Sequence, residues 1–580
     1  MKDAASTAIY GSQGADGVLL IETHKGRMGK VQFDYQYKSN LNIQPPPIPM
    51  LTGDEYIMLQ LEEWHNARGV FDVPQEIAYD RDFVDFYNYS ANTDWVEEIT
   101  QNGLSQDHYF SVSGGGDKTR YFTSFGYLDE GGTTINTGFQ RFSTRVNLDY
   151  FLSRKLTFQI KFNYTANTRT NNIRISGRNI REMGYIKAPN MSIYEYDVNG
   201  ELTGEYFTPI TSYQGNGTTF YNPVAVANLG FDNRYENQLE NTFTLQYRFN
   251  DWLNFRETVS FQYNGRKDIS FLPYNAIGAD WLSGQVNQAN EQNRLSQNIR
   301  SETQVAFTSP FANEDHQLSG AITWVVEENN WEAMNTVGSK IPSVDIQDPA
   351  VDAQLAWIGS YEGTTRSMRN VNTVNYKYLD RYLIQTVLTM DAHSSFGPQS
   401  RWGSFYGLML GWRFSNEPWM ESLTWLGESM IRGGIGTSGR RPDDVYARFA
   451  TYETTGSGSY ITNPAVGPTS LQLNNLSWET ITSYDVGVEL NLFDDRAYVE
   501  GNLYQKITTD ILFGGPAWQP WRWYKIPYSS GYQGLQYLNA GQLSNRGWEL
   551  MADVKIVRNR DWLWSVNLNA SQNINAFDEL

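Results

Sequence analysis

Cysteine is absent from this chain of 580 residues, which excludes a disulfide framework and thiolate-based zinc sites. Long apolar runs are absent too: one of the longest, 321–326, falls far short of the ~18–20 residues a membrane-crossing helix needs. Charge is scarce, with Asp, Glu, Lys and Arg at 19% against about 25% in an average domain. Aliphatics are short as well, because aromatics supply 14 of the 40 percentage points of apolar residues. Positive charge is the scarcer sign: 45 Lys and Arg against 64 Asp and Glu leave −19, the wrong balance for a nucleic-acid binder. No long Pro/Ser-rich or charged linker divides the chain, although a soluble protein of this length is expected to split into several domains. Met1-Lys2-Asp3 runs straight into Ala-rich sequence rather than the apolar core of a secretory leader.

What is present is aromatic and uncharged polar. The 37 Tyr, 29 Phe and 18 Trp exclude a disordered acidic chain. These residues fall in a period of two. Leu156, Phe158, Ile160, Phe162 and Tyr164 alternate with Thr157, Gln159, Lys161 and Asn163. The same pattern holds for Phe33–Tyr35–Tyr37, for Phe243 to Phe249, for Val486 to Leu492, for Trp548 to Ile556 and for Trp562 to Ala570. Alternation sets one face of a strand in an apolar medium and the other in water. A half-buried soluble sheet shows the same period, so the connections must discriminate.

Short polar turns are predicted at 152–155, 250–251, 312–315, 379–381, 494–496 and 558–561, with another near 421–427. Between successive turns lie two strands of about ten residues and a long polar stretch. Short turns on one side and long loops on the other are the grammar of an outer-membrane barrel, whereas a soluble sandwich turns every 8–12 residues or so. Rings at strand ends, among them Trp252, Phe255, Tyr382, Phe405, Trp412, Phe414, Tyr498, Tyr504, Trp562 and Trp564, suit the two membrane interfaces. The pattern gives sixteen or seventeen strands.

Catalytic signatures are missing. His24, His65, His108, His316 and His393 are scattered, without H-E-x-x-H, a nucleophile elbow or a Walker A loop. Gly434-Ile435-Gly436-Thr437-Ser438-Gly439 fits G-x-G-x-x-G, yet Arg440-Arg441-Pro442 follows instead of a helix, so it reads as a loop beginning at a strand end. Asp197-Val198-Asn199-Gly200-Glu201 is a hairpin turn rather than a calcium loop. The sequence gives no ground for an enzyme, a metal or a cofactor. The stretch 54–67 reads as a loop helix capped by Asp54. Trp518, Trp521, Arg522, Trp523 and Tyr524 crowd one long loop, a surface on which sugar rings can stack; packing within the loop, a partner protein and the lipid interface compete for the same rings. Trp281, Trp331 and Trp357 are assigned to long loops as weaker candidates.

The opening residues Lys2, Asp3, Ala8, Ile9, Tyr10, Gly11, Gly14 and Gly17, within a stretch that runs on to Thr23, resemble the end of the plug domain of SusC/RagA-type TonB-dependent outer-membrane transporters. Phe110-Ser111-Val112-Ser113-Gly114-Gly115 and Gly138-Phe139-Gln140-Arg141-Phe142 are similar to that family's first barrel hairpins. Arg381-Tyr382-Leu383, Phe396-Gly397-Pro398, Arg401-Trp402-Gly403-Ser404-Phe405, Leu410-Gly411-Trp412-Arg413, Leu476-Ser477-Trp478 and Leu543-Ser544-Asn545-Arg546-Gly547-Trp548 continue the likeness in order.

The resemblance implies an all-β protein, a large transmembrane antiparallel β-barrel that is 22-stranded in the intact family. Residues 1–30 would then be the end of a plug and 31–580 the barrel, incomplete at its C-terminus. It also implies import of large nutrients, oligosaccharides foremost, with peptides or a passive porin or adhesin barrel as the rival readings. The expected partners are a SusD-like surface lipoprotein, the TonB–ExbB–ExbD coupling complex, the cargo and outer-membrane lipid, with no nucleic acid. A family signal segment, a TonB box and most of the plug are not matched, so the chain reads as an internal piece of a longer pattern.

Overall fold

The computed structural model describes residues 26–69, 72–209, 221–278, 282–284, 286–310, 315–351, 354–442, 444–460, 463–468, 470, 472–513 and 538–579. Seventeen strands form one antiparallel sheet, each hydrogen-bonded to its neighbours in chain order. They are β1 (Gly29–Asn42), β2 (Gly103–Gly115), β3 (Thr119–Gly131), β4 (Gly138–Phe151), β5 (Leu156–Asn171), β6 (Phe231–Arg248), β7 (Leu253–Leu272), β8 (Gln288–Thr308), β9 (His316–Ser339), β10 (Gln354–Tyr378), β11 (Tyr382–His393), β12 (Trp402–Trp412), β13 (Met430–Arg440), β14 (Glu479–Leu492), β15 (Ala497–Thr509), β16 (Gln542–Arg558) and β17 (Leu563–Glu579). The expected turns at 152–155, 250–251, 379–381, 494–496 and 558–561 fall between consecutive strands, all at one end of the sheet. The turn expected at 312–315 lies mostly outside the described residues. At 379–381 and 494–495 the chain turns on Leu379, Asp380, Asp494 and Asp495, all with φ near +50° to +60°. Asp tolerates this left-handed region better than most residues.

Cross-strand pairing shows how completely the period of two divides the wall. Met368, Val326, Ser301, Val259, Phe243, Ile160, Leu148 and Tyr121 pair one to the next across eight strands and share a face. One residue along, Arg369, Val325, Glu302, Thr258, Thr244, Gln159, Asp149 and Arg120 form the matching row on the opposite face. Here Thr244 and Thr258 join hydroxyls at 3.3 Å, and the Gln159 amide donates to Asp149 at 2.9 Å. The apolar row is the lipid face and the polar row faces the lumen. No described helix is long and apolar enough to cross a membrane; the strands make the crossing.

Some expected interface rings point elsewhere. Tyr382 and Trp412 do stand on the lipid face, paired with each other across the ladder. Phe405 is 2% exposed and packs inward, because a lumen-side cluster of Phe396, Leu476 and Trp478 needs its ring. Tyr498 and Tyr504 belong to the inward row as well, directly opposite Asn491 and Asp485. The glycine run 434–439 lies within β13 rather than opening a loop. Its glycines serve packing: a Cβ on Gly439 would sit 2.3 Å from the Phe405 ring.

The long connections do not hang free. Loop 43–102 carries α1 (Gly53–Arg68), α2 (Gln75–Ala78), α3 (Phe86–Tyr89) and α4 (Trp95–Glu98); loop 172–230 carries α5 (Ile180–Ile186) and α6 (Pro223–Leu229); and α7 (Tyr274–Ile277) follows β7. Helix α1 occupies the expected segment, but its cap is Thr52, whose hydroxyl and the Glu55 carboxylate exchange bonds with each other's backbone; Asp54 lies inside the first turn. Together the loops bury one core of Trp95, Ile99, Ile180, Met183, Val224, Val226 and Ile277. The Trp95 indole donates to the Ala188 carbonyl at 2.9 Å, and Arg181 reaches Thr133, Thr134 and Gln44. This cap sits at the loop end of the first eight strands. Asp197–Glu201 closes a hairpin there, as expected, with Asp197 N donating to Glu201 O at 2.9 Å.

Candidate functional site

The lumen wall near the loop end holds a polar cavity of about 170 Å³. Register explains its lining. Glu327, Ser367 and His393 form one cross-strand row over β9, β10 and β11; Asn298, Asn329 and Thr365 form the next; Ser296 and Trp331 begin the third. All are inward by the alternation described above. The Asn298 amide donates to Glu327 at 2.6 Å, and the Ser296 hydroxyl meets Asn329 at 3.4 Å. Trp331 and Tyr361 lie against each other on the same inward side, ring centroids 4.4 Å apart and planes tilted by 36°. A Cβ on Gly363 would come within 2.3 Å of the Trp331 ring, so Gly363 is what lets the indole lie against the wall. Amides, hydroxyls and flat rings together make a surface suited to polyols.

His393 closes one side of the cavity and is 3% exposed. Its Nδ1 lies 3.2 Å from the Ser395 backbone N–H, and its Nε2 lies 2.5 Å from the Arg441 guanidinium. Arg441 comes from the loop after β13, so this side is built from two distant segments.

Elsewhere in the lumen several charges are paired. Asp268 takes bonds from Arg234 at 2.8 Å and Arg266 at 2.6 Å. Arg369 faces Asp391 at 3.5 Å, both nearly buried. Glu489 and Glu500 stand directly opposite each other, with Arg432 between them at 3.3 and 2.7 Å. Like charges in that position repel, and the guanidinium bridges them.

The motif residues converge in two places that sequence reasoning did not foresee. At the turn end, Glu417 accepts from the Tyr382 hydroxyl at 2.7 Å, the Trp412 indole at 3.0 Å and Arg381 at 3.3 Å. The Tyr382 bond above all, then the Trp412 bond, holds the Glu417 carboxyl below its usual range. Arg413 bonds Asp380 at 2.5 Å in the adjoining turn. At the loop end, Phe396 and Trp478 lie with centroids 4.2 Å apart, and Phe405 meets Trp478 edge-on at 5.7 Å. These residues stitch strands and loops and carry no reactive chemistry. In the cap, burial pushes the Lys187 ammonium down to about 7.

The loop residues Trp518, Trp521, Arg522, Trp523 and Tyr524, the N-terminal motif Lys2, Asp3, Ala8, Ile9, Tyr10, Gly11, Gly14 and Gly17, and Trp281 all lie outside the described residues. Trp331 and Trp357 sit in strands β9 and β10 rather than in loops. Their strands run on beyond β11 and β12 at the loop end, a length that polar residues such as Asn329 and Asn330 disguise.

Residues 184–578 match the family described as TonB dependent receptor-like, beta-barrel. TonB-dependent receptor SusC of Bacteroides thetaiotaomicron is 25% identical over 605 residues, covering 100% of this chain and 56% of that protein. TonB-dependent receptor P3 of Formosa agariphila is 25% identical over 594 residues, covering 100% of this chain and 54% of that protein. The chain thus spans about half the length of the curated relatives it matches. In fold it is similar to a chain of the RagAB peptide transporter, with TM-score 0.78 and 20% identity over 99% of this chain and 64% of that one.

Proposed function

Because this chain belongs to the TonB-dependent receptor β-barrel family of the bacterial outer membrane, we propose that it is the wall of an active importer for large nutrients, most specifically oligosaccharides. The observation that carries this reading is the lumen face: a polar lining, with the Trp331–Tyr361 ring pair near a hydroxyl- and amide-bearing cavity at the loop mouth. Flat rings next to amides and hydroxyls complement sugar faces and sugar hydroxyls. In this reading the rings of Trp518, Trp521, Trp523 and Tyr524, with Arg522, extend the contact surface above the lumen. Residues 1–30 enter the lumen as the end of a plug, and 31–580 are barrel wall.

A barrel that is plugged needs an energy source to open. The proton gradient supplies it through TonB, ExbB and ExbD, and a SusD-like surface lipoprotein closes over the loop cap. A peptide cargo is the second reading, favoured by the fold likeness to the RagAB peptide transporter. Uptake of labelled oligosaccharides and peptides by cells bearing the full-length protein tests both, with and without collapse of the proton gradient. Gradient-dependent oligosaccharide uptake that falls on Trp331→Ala supports the proposal. A permanently open conductance from the purified full-length protein refutes active transport, and uptake of peptides alone replaces the cargo.

A further inference from the structure

We propose that the outward face of the wall carries a binding site for a phosphate-bearing lipid of the outer leaflet, with the headgroup on Arg546 and an acyl chain in the groove below it. The inference rests on the assignment of faces and not on the cargo, so it stands or falls apart from the import reading.

Register carries the lipid face to this part of the wall. From Trp412 the pairing runs to Ile431, Val488, Gly501, Leu550 and Ala570, one to the next across β12 to β17. Two residues nearer the loop end, the same face holds Val486, Leu503, Trp548 and Gln572; above them come Tyr484, Gln505, Arg546 and Ile574. Apolar side chains give way to polar ones towards the loops. Gln505 lies eight residues beyond Ala497, and its partner Arg546 twelve before Arg558, the turn-end limits of β15 and β16. At ~3.4 Å per residue and a tilt near ~40° these are about 21 and 31 Å, either side of the outer edge of a hydrocarbon core about 25–30 Å thick. Long loops mark the extracellular end of a barrel, so that edge is the headgroup layer of the outer leaflet.

Tyr484, Val486, Leu503, Arg546, Trp548 and Ile574 line a groove of about 500 Å³ at this level. The Trp548 indole donates to Gln572 at 3.0 Å, which answers its polar edge and leaves the ring as a groove wall. Gly501 continues the slot downwards: a Cβ there would reach only Val488 and Leu550, at 3.8 and 3.9 Å. Arg546 is exposed and makes no hydrogen bond or ion pair among the described residues. From Thr482 to Leu492 on β14, and along their partners through β15, β16 and β17, it is the one charged side chain among the described outward residues. Arg366 and Lys267, on the same outward face, are by contrast answered by Glu328 at 2.7 Å and Glu291 at 3.0 Å. A guanidinium at the headgroup layer needs an anion, and its fork matches phosphate oxygens. A cation set above an apolar slot repeats the order of a lipid, headgroup over chain. Arg546-Gly547-Trp548 also belongs to a family-like motif. The wall needs its glycine, whose Cβ would lie 2.3 Å from the Gln572 carbonyl, but makes no use of its guanidinium among the described residues.

The test is native mass spectrometry of the detergent-solubilised full-length protein, titrated with phosphorylated lipid A, with the same lipid stripped of its phosphates, and with inorganic phosphate. Lipid A should bind the unaltered protein about 10-fold more tightly than its phosphate-free form, the difference one charge-assisted bond makes. Arg546→Gln should remove that difference, and Arg546→Lys should keep part of it. Gly501→Leu fills the slot with Arg546 still in place, and should weaken both forms of the lipid alike. Arg366→Gln, which takes away an outward guanidinium already paired with Glu328, should change nothing. Equal binding of the two lipids, no loss in Arg546→Gln, or the same loss in Arg366→Gln overturns the site. Inorganic phosphate held as tightly as lipid A, or full binding by Gly501→Leu, overturns the acyl slot and with it the lipid. Each of these results leaves the import reading where it stands.

Discussion

If the apolar row is a lipid face, a charge placed in it must cost far more than the same charge one residue away. Val259 in β7 tests this. It lies six residues above Leu253, where the strand leaves the turn. At ~3.4 Å per residue and a tilt near ~40°, six residues rise about 16 Å, the middle of a core about 25–30 Å thick. Val259 pairs with Phe243 and Ser301 on the lipid side. Val259→Lys should therefore destabilise the folded protein by about 2–4 kcal/mol, the cost of a Lys at the bilayer midplane. Thr258→Lys puts the same ammonium into the lumen row beside Glu302, where water reaches it. It loses one hydroxyl contact to Thr244, worth about 1 kcal/mol or less. Reversible urea unfolding of the full-length protein from lipid vesicles measures both. Equal losses, or a larger loss for Thr258→Lys, would refute the assignment of faces and with it the membrane-spanning reading of this wall.

Other consequences are local. Arg432→Met leaves Glu489 and Glu500 facing each other unbridged, and should lower stability by about 2–4 kcal/mol in thermal unfolding; adding Glu489→Gln should recover more than half of the loss, and no recovery would show that like-charge repulsion is not the cause. Trp95→Ala removes a ring that is 2% exposed from the loop core, and should cost the cap about 3–5 kcal/mol; hydrogen exchange should then speed up across α4 and α5 while β6 to β9 stay protected. Lys187 should make the cap pH-sensitive. Its folded value is lowered to about 7 from 10.5, so between these the unfolded chain binds the extra proton and stability rises with pH. Local exchange in α5 should slow from pH 7 towards pH 9 after correction for intrinsic rates, and Lys187→Met should abolish that trend.

The wall was legible in the sequence because every strand carries its own signal. Thr258 and Val259 differ in polarity because they face different media, and that difference repeats every second residue whatever the neighbouring strand does. Turns were legible for the same local reason: Asp494 and Asp495 can adopt positive φ without help. The cap was not legible. Trp95, Ile180, Val224 and Ile277 come from segments up to 182 residues apart, since 277 − 95 = 182, and sit on helices of four to seven residues. Helices so short show no period, and a core shared among three loops leaves no pattern in any one of them. Trp331 was misplaced because its strand continues past the lipid, where alternation between oil and water has no reason to persist. The His393–Arg441 corner was unreadable for a further reason: 48 residues and two strands separate its halves, and only the fold brings them together.

The contrast between wall and corner bears on how a lumen can bind and still release. Where Arg234, Arg266, Arg369 and Arg432 meet carboxylates, the charges are already answered, and a passing cargo gains little by displacing them. Such pairs keep the lining polar without making it adhesive. Arg441 differs in coming from the connection after β13 and in meeting the His393 imidazole rather than a carboxylate.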